Sequence, residues 1–239
     1  MSHLRTYTKL ITLIFFSIFL FLFKFSYGQS SPEERKIGME ATAQPVKPLP
    51  ELRIGAQMGY GYRFERSINS VFPEIKKYSS KLKNALSYGT DITYYFSKYM
   101  GIGVKFNGIH SEAKMSKKFF ISMPYDDIIA RTSEKIDMQY IGAFYAVRYF
   151  ITPYKHCIFL NAGVGYNRYR NNLQNFHPFG DISETITENT LALSAEIGYD
   201  FLVTKFLAIG LQVSTSFGLL KEHINVGYVD LSLGLRFWK

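Results

Sequence analysis

Val229, Leu231, Leu233, Leu235 and Phe237 alternate with Asp230, Ser232, Gly234 and Arg236 along Val226 to Trp238. Successive residues of a strand point to opposite faces, so this spacing predicts a strand with one apolar and one polar face. From Leu52 onward the chain repeats that unit, and eight strands of roughly 10 to 14 residues are expected. The first, Leu52 to Phe64, sets Leu52, Ile54, Ala56, Met58, Tyr60, Tyr62 and Phe64 against Arg53, Gly55, Gln57, Gly59, Gly61 and Arg63. The second, near Leu86 to Phe96, opposes Tyr88, Ile92, Tyr94 and Phe96 to Gly89, Asp91 and Thr93. In the third, Met100 to His110, Ile102, Val104 and Phe106 face away from Gly101, Gly103, Lys105 and Asn107.

The fourth segment, about Ile136 to Ile151, carries large residues on both faces; Ile141, Ala143, Tyr145, Val147 and Tyr149 are assigned to the apolar one and Arg148 to the other. The fifth sets Ile158, Leu160, Ala162, Val164 and Tyr166 against Asn161, Gly163, Gly165 and Asn167. The sixth sets Leu191, Leu193, Ala195, Ile197, Tyr199 and Phe201 against Ser194, Glu196, Gly198 and Asp200. The seventh opposes Leu207, Ile209, Leu211, Val213 and Phe217 to Gly210, Gln212, Ser214, Ser216 and Gly218.

Which face meets the core depends on the solvent outside. A soluble eight-stranded barrel would turn Leu231, Leu233 and Leu235 inward around a ligand, whereas a membrane barrel turns them toward lipid and fills its interior with the polar set. The connections decide in favour of lipid. Those at Ser97, Pro153 and Thr204 are a few residues, while long loops are expected over Glu65 to Lys83, Ser116 to Ser133 and Asn171 to Thr187, with a shorter one near Lys221 to Asn225. Short turns on one side and long loops on the other are the pattern of outer-membrane barrels, and ten tilted residues span roughly 25 Å of hydrocarbon. Aromatic pairs near strand ends, such as Tyr149-Phe150 and Phe237-Trp238, suit the membrane interfaces.

The N-terminus agrees. Arg5 and Lys9 precede an apolar run, Leu10 to Phe23, that is too short for a bilayer helix and suits a secretory signal over residues 1–28, cleaved after Ser26-Tyr27-Gly28. Removing Arg5, Lys9 and Lys24 lowers the formal charge from +9 to +6, since no Asp or Glu lies in that segment. Residues 29–51, with Pro32, Pro45, Pro48 and Pro50, read as a flexible periplasmic leader, and residues 52–239 as the barrel. After Phe23 no apolar run is long enough for a membrane helix. Cys157 is the only cysteine, so the fold stands without an internal disulfide.

From Leu52 to Lys239 the chain resembles the small bacterial outer-membrane β-barrel proteins of the eight-stranded OmpX type. Strand count, loop asymmetry and the signal segment carry the likeness, and Ser232, Gly234, Phe237 and Trp238 resemble the C-terminal assembly signal of such proteins. Lys239 departs from their usual aromatic ending. The resemblance implies an eight-stranded antiparallel up-and-down transmembrane barrel with both termini periplasmic, inserted by the barrel assembly machinery. It also implies contact with outer-membrane lipid and lipopolysaccharide, and with an envelope protein or external ligand through the loops.

Candidate chemistry is sparse. The inward faces collect Arg53, Lys105, Arg148 and Arg236 against Asp91, Glu196, Asp200 and Asp230, a near-neutral set expected to pair inside a filled lumen. The competing use of those charges is a gated ion path. Most strand glycines share the inward face and make room for arginine. Three Gly-x-Gly pairs are followed at the third glycine position by Phe64, Phe106 or Arg168, which excludes a dinucleotide loop. Among His3, His110, His156, His177 and His223, none has a serine two residues away, so the His-x-Ser pattern of a lipid A deacylase is missing; His110 shares a face with Glu112 as a rim contact. No spacing suits a metal or cofactor. Basic residues of the first loop, Arg66, Lys76, Lys77, Lys81 and Lys83, suit anionic lipopolysaccharide better than nucleic acid. A structural or surface-interaction role without catalysis is therefore expected; a narrow channel or secretion accessory comes next, and an envelope-lipid enzyme last.

Overall fold

The computed structural model describes residues 50–64, 73–120, 127–152, 155–176, 182–220 and 224–238. The expected signal segment and all of the expected leader except Pro50 and Glu51 lie outside the described residues, as do His177, His223 and Lys239. The chain runs β1 (Glu51–Arg63), α1 (Pro73–Lys83), β2 (Asn84–Tyr95), β3 (Met100–Phe120), β4 (Asp127–Thr152), β5 (His156–Phe176), β6 (Ile182–Leu202), β7 (Leu207–Gly218) and β8 (Val226–Trp238). All eight strands pair with their sequence neighbours, and β1 pairs with β8, closing an antiparallel up-and-down barrel.

The register fixes its shape. Stepping across paired residues from Glu51 through Tyr95, Gly101, Ala146, Asn161, Glu196, Ser214 and Tyr228 returns to β1 at Gly61, ten residues further along. A ten-residue stagger over eight strands tilts each by about 40° from the axis, and such a barrel has an interior just wide enough for side chains. Two of the tight turns are stapled by hydroxyls. Ser97 Oγ accepts from the amides of Tyr99 and Met100 at 3.2 and 3.0 Å, and Thr204 Oγ1 accepts from Phe206 and Leu207 at the same distances.

Polarity is reversed relative to a soluble protein. Outward positions through the middle of the strands are apolar and exposed, as at Leu231, Leu233, Leu235, Ile141, Val164 and Leu191, whereas Arg53, Asp91, Lys105, Arg148, Glu196, Asp200, Asp230 and Arg236 are buried inside. A continuous apolar belt of that extent is far larger than a soluble monomer exposes, and it is the surface that lipid requires. The fold is thus a transmembrane β-barrel. Its lower aromatic rim, at the short turns, includes Tyr94, Phe96, Tyr99, Tyr149, Tyr199, Phe201, Phe206 and Phe237.

The hairpin end departs from expectation. The segments over Ser116 to Ser133 and Asn171 to Thr187 are not long loops: β3 and β4 remain paired up to Phe120 and Asp127, and β5 and β6 up to Asn175 and Ile182, leaving residues 121–126 and 177–181 as connections. Above the apolar belt the alternation continues with its sense inverted. Ile109, Ala113, Ile136, Met138 and Tyr169 now point inward and are buried, while His110, Glu112, Lys114, Lys135, Arg168 and Arg170 point outward. A sheet that leaves hydrocarbon for water must exchange its two faces. The expected first loop, Glu65 to Lys83, contains α1, whose buried Leu82 and half-buried Tyr78 lie four residues apart on one side while Lys76, Lys77 and Lys81 stay exposed.

Candidate functional site

Side chains fill the lumen in three tiers. At the short-turn end Arg53 Nη1 donates to Asp91 Oδ2 at 2.6 Å and its Nε to Asp200 Oδ2 at 3.1 Å, while Arg236 Nη2 donates to the same Asp200 oxygen at 2.9 Å. Glu51 bridges Arg148 and Arg236, 2.8 Å from Arg148 Nη1 and 3.3 Å from Arg236 Nη1. Arg148 also lies over the Tyr95 ring, 3.6 Å from its centroid, and its Nε donates to the Lys98 carbonyl at 2.9 Å. Glu51 falls within the residues assigned to the leader, although it has the parity of Arg53; one further step back along the alternation reaches it. Space for this cluster comes from glycine: a β-carbon at Gly55 or Gly210 would overlap the carboxylates of Asp91 and Asp200.

The middle tier joins Lys105 to Glu196, which also accepts from Asn161 Nδ2 at 2.6 Å. Asp230 accepts from Ser87, and Gln57 links Asn107 to Gln212. Single buried charges would cost several kcal/mol each; paired and hydrogen-bonded, they are tolerated. Ser232 and Gly234 face the lumen and Phe237 faces outward, while Trp238 pairs its backbone with Glu51 and its side chain lies outside the described residues.

The third tier is apolar. Leu82, Ala85, Ile109, Ala113, Ile136, Met138, Tyr169, Ile224, Val226 and Tyr228 form one cluster across the mouth, with Tyr78 packed on it. Two polar contacts moor α1 over it, and a third holds the acceptor of one of them. The Tyr78 hydroxyl donates to Glu134 Oε2 at 2.9 Å, Asn171 Nδ2 donates to Glu134 Oε1 at 2.6 Å, and Arg63 Nη1 donates to the Leu82 carbonyl near the end of α1 at 3.4 Å. Burial, then the bond to Glu134, pushes the Tyr78 phenol well above its usual range, so it stays a neutral donor. Tyr78→Phe should cost about 1 kcal/mol locally and speed tryptic cleavage at Lys76, Lys77 and Lys81, with the rest of the barrel as resistant as before.

Above the mouth, β3 to β6 continue as a four-stranded sheet. β7 pairs with β6 only from Ala192 onward, so Ser183 to Glu188 have no strand on that side among the described residues. On the sheet's outward face His110 Nδ1 lies 2.6 Å from Asp137 Oδ1, and Lys114 Nζ lies 2.9 Å from Glu112 Oε1, a contact that holds the Glu112 carboxyl below its usual range. The rim contact expected between His110 and Glu112 is replaced by these two separate pairs. A concavity of about 530 Å³ opens here between Glu112, Lys114, Ser133, Lys135, Gln174 and Phe176. Among the described residues no group of His, Cys, Asp and Glu is placed to hold a metal.

Fold and lumen together define an eight-stranded transmembrane barrel with a charge-paired, apolar-capped interior. No protein-family model and no curated protein matches the chain. Among solved structures it is similar to Ail, the attachment invasion locus protein of Yersinia pestis, at 15% identity and TM-score 0.45, covering 80% of this chain and 100% of that one. It is also similar to the outer membrane protein OprG from Pseudomonas aeruginosa, at 10% identity and TM-score 0.45, covering 81% and 98%. Neisserial surface protein A matches at 10% identity and TM-score 0.37, covering 79% and 97%. At these identities the likeness is one of barrel architecture.

Proposed function

We propose that this chain is an integral outer-membrane β-barrel that presents its protruding sheet to partners outside the cell and performs no catalysis. In this reading the short turns and both termini face the periplasm. Lipid and lipopolysaccharide surround the belt, and the barrel assembly machinery reads Ser232, Gly234, Phe237 and Trp238. The observation that carries it is the β6 edge, where exposed Thr185, Ile186 and Thr187 stand on a strand that among the described residues is paired on one side only. Such an edge is a template for strand addition by another chain, with its backbone groups supplying affinity. A photo-crosslinking side chain in place of Thr187 should capture a protein partner on intact cells, and one in place of lipid-facing Leu211 should capture none. Equal labelling at both sites, or none at Thr187, would defeat the reading.

The apolar cap bears on the channel alternative. Ions would have to pass Tyr78 and Leu82 and then part Lys105 from Glu196. Planar bilayers containing the chain should therefore stay silent, and stepwise conductance would overturn that expectation.

A further inference from the structure

The geometry points to a binding site for a phosphorylated glycolipid on one flank of the barrel, the outward face of β3, β4 and β5 just above the apolar belt. It deepens the membrane reading by naming a lipid class and a place, and it rests on that reading for the position of the leaflet.

The flank is built by parity. On β5 the outward series Ile158, Leu160, Ala162, Val164 and Tyr166 is followed without a break by Arg168 and Arg170, both exposed. Arg170 lies across from Asp137, and Asp137 across from His110; one rung higher, Asn172, Lys135 and Glu112 line up in the same way, and above them Gln174, Ser133 and Lys114. At a rise near 3.3 Å per residue and a tilt of about 40°, Arg168, Arg170 and Lys135 lie within about 15 Å of the belt's upper edge and Lys114 about 20 Å above it. That is where the phosphates and first sugars of an acylated glycolipid sit when its chains pack against Ile141, Val164 and Tyr166.

Charge favours the same occupant. Four cations, Arg168, Arg170, Lys135 and Lys114, share this face with two carboxylates, and each carboxylate already has a partner: Asp137 holds His110, and Glu112 holds Lys114. Arg168 and Arg170 form no ion pair among the described residues. The concavity beside Lys114 and Lys135 falls within the roughly 300–1,000 Å³ of small-ligand sites, and Ser133, Gln174 and Phe176 line it with a hydroxyl, an amide and a ring suited to sugar. The other side of the barrel lacks these features. At the corresponding level β7, β8, β1 and β2 present Phe217, Val229, Tyr60, Tyr62, Phe64, Leu86 and Tyr88, with no outward charge on a strand among the described residues. The one-sidedness separates a site from a general girdle. An arginine fork reads phosphate oxygens in pairs, whereas a lipid with a zwitterionic head offers no net charge to hold.

The test uses the full chain reconstituted in nanodiscs of phosphatidylcholine doped with bisphosphorylated lipid A or with its dephosphorylated form. The readout is the glycolipid retained per protein on native mass spectrometry. The wild-type chain should retain the phosphorylated form, and Arg168→Gln with Arg170→Gln should reduce that retention about tenfold. Lys76→Gln, Lys77→Gln and Lys81→Gln together, on the exposed face of α1, should leave it within about twofold, which general surface electrostatics would not. Equal retention of the dephosphorylated lipid would overturn the site. So would wild-type retention by the arginine double variant, equal losses in both variant sets, or displacement of the lipid by an acidic polysaccharide without acyl chains. A chain that fails to enter the bilayer overturns the membrane reading instead, so the two failures are told apart.

Discussion

Arginine in place of Leu233 should destabilise the inserted barrel by about 2–4 kcal/mol, the cost of a cation on the lipid face near the bilayer midplane. Leu233 points outward, more than half exposed, on a strand that pairs with Ala56 on one side and Ile209 on the other. No neighbour on those strands offers a carboxylate, so the guanidinium must reach for a distant interface. Urea unfolding from phospholipid vesicles measures the loss. Gln174→Arg, outward but above the belt, is the control and should change stability by less than about 0.5 kcal/mol. If Leu233→Arg were equally harmless, the apolar belt would not face lipid.

Asp200→Asn should cost about 3–5 kcal/mol in the same measurement, because it strips a shared counter-ion from Arg53 and Arg236 and leaves positive charge buried. Much of that is the cost of the abandoned cations rather than the worth of the bond. Arg53 keeps Asp91 and Arg236 keeps Glu51, so the barrel is expected to fold more weakly without losing its topology. A change under about 1 kcal/mol would mean that water already solvates the cluster.

The barrel was legible because lipid imposes a strict period of two and the chain obeys it for eight strands. Arg53, Arg148 and Asp200 could be placed inside from parity alone, since each sits between two lipid-facing residues. Partners across the lumen were not legible: whether Arg148 meets Glu51 or Glu196 depends on the stagger, which only pairing around the whole barrel reveals. Glu51 reads as leader because Pro48 and Pro50 stand just before it. The upper strands escaped for another reason, because the apolar set moves from even to odd positions between Phe106 and Ile109 and a search for one parity stops there. In α1 the apolar positions are few and the lysines many, so composition spoke for a loop; the cluster beneath it supplies the packing that makes the helix stable.

The exchange of faces between Phe106 and Ile109 on β3, and between Tyr166 and Arg168 on β5, also acts as a depth gauge. Sinking the barrel by two residues would drag Arg168 into hydrocarbon, and raising it by as much would put Tyr166 and Ile141 into water. Both displacements are opposed, so the chain has one preferred height and the sheet above it a fixed standoff from the membrane. A partner that adds a strand to β6 would therefore be held at a set distance from the lipid, whatever the flexibility of its own tether.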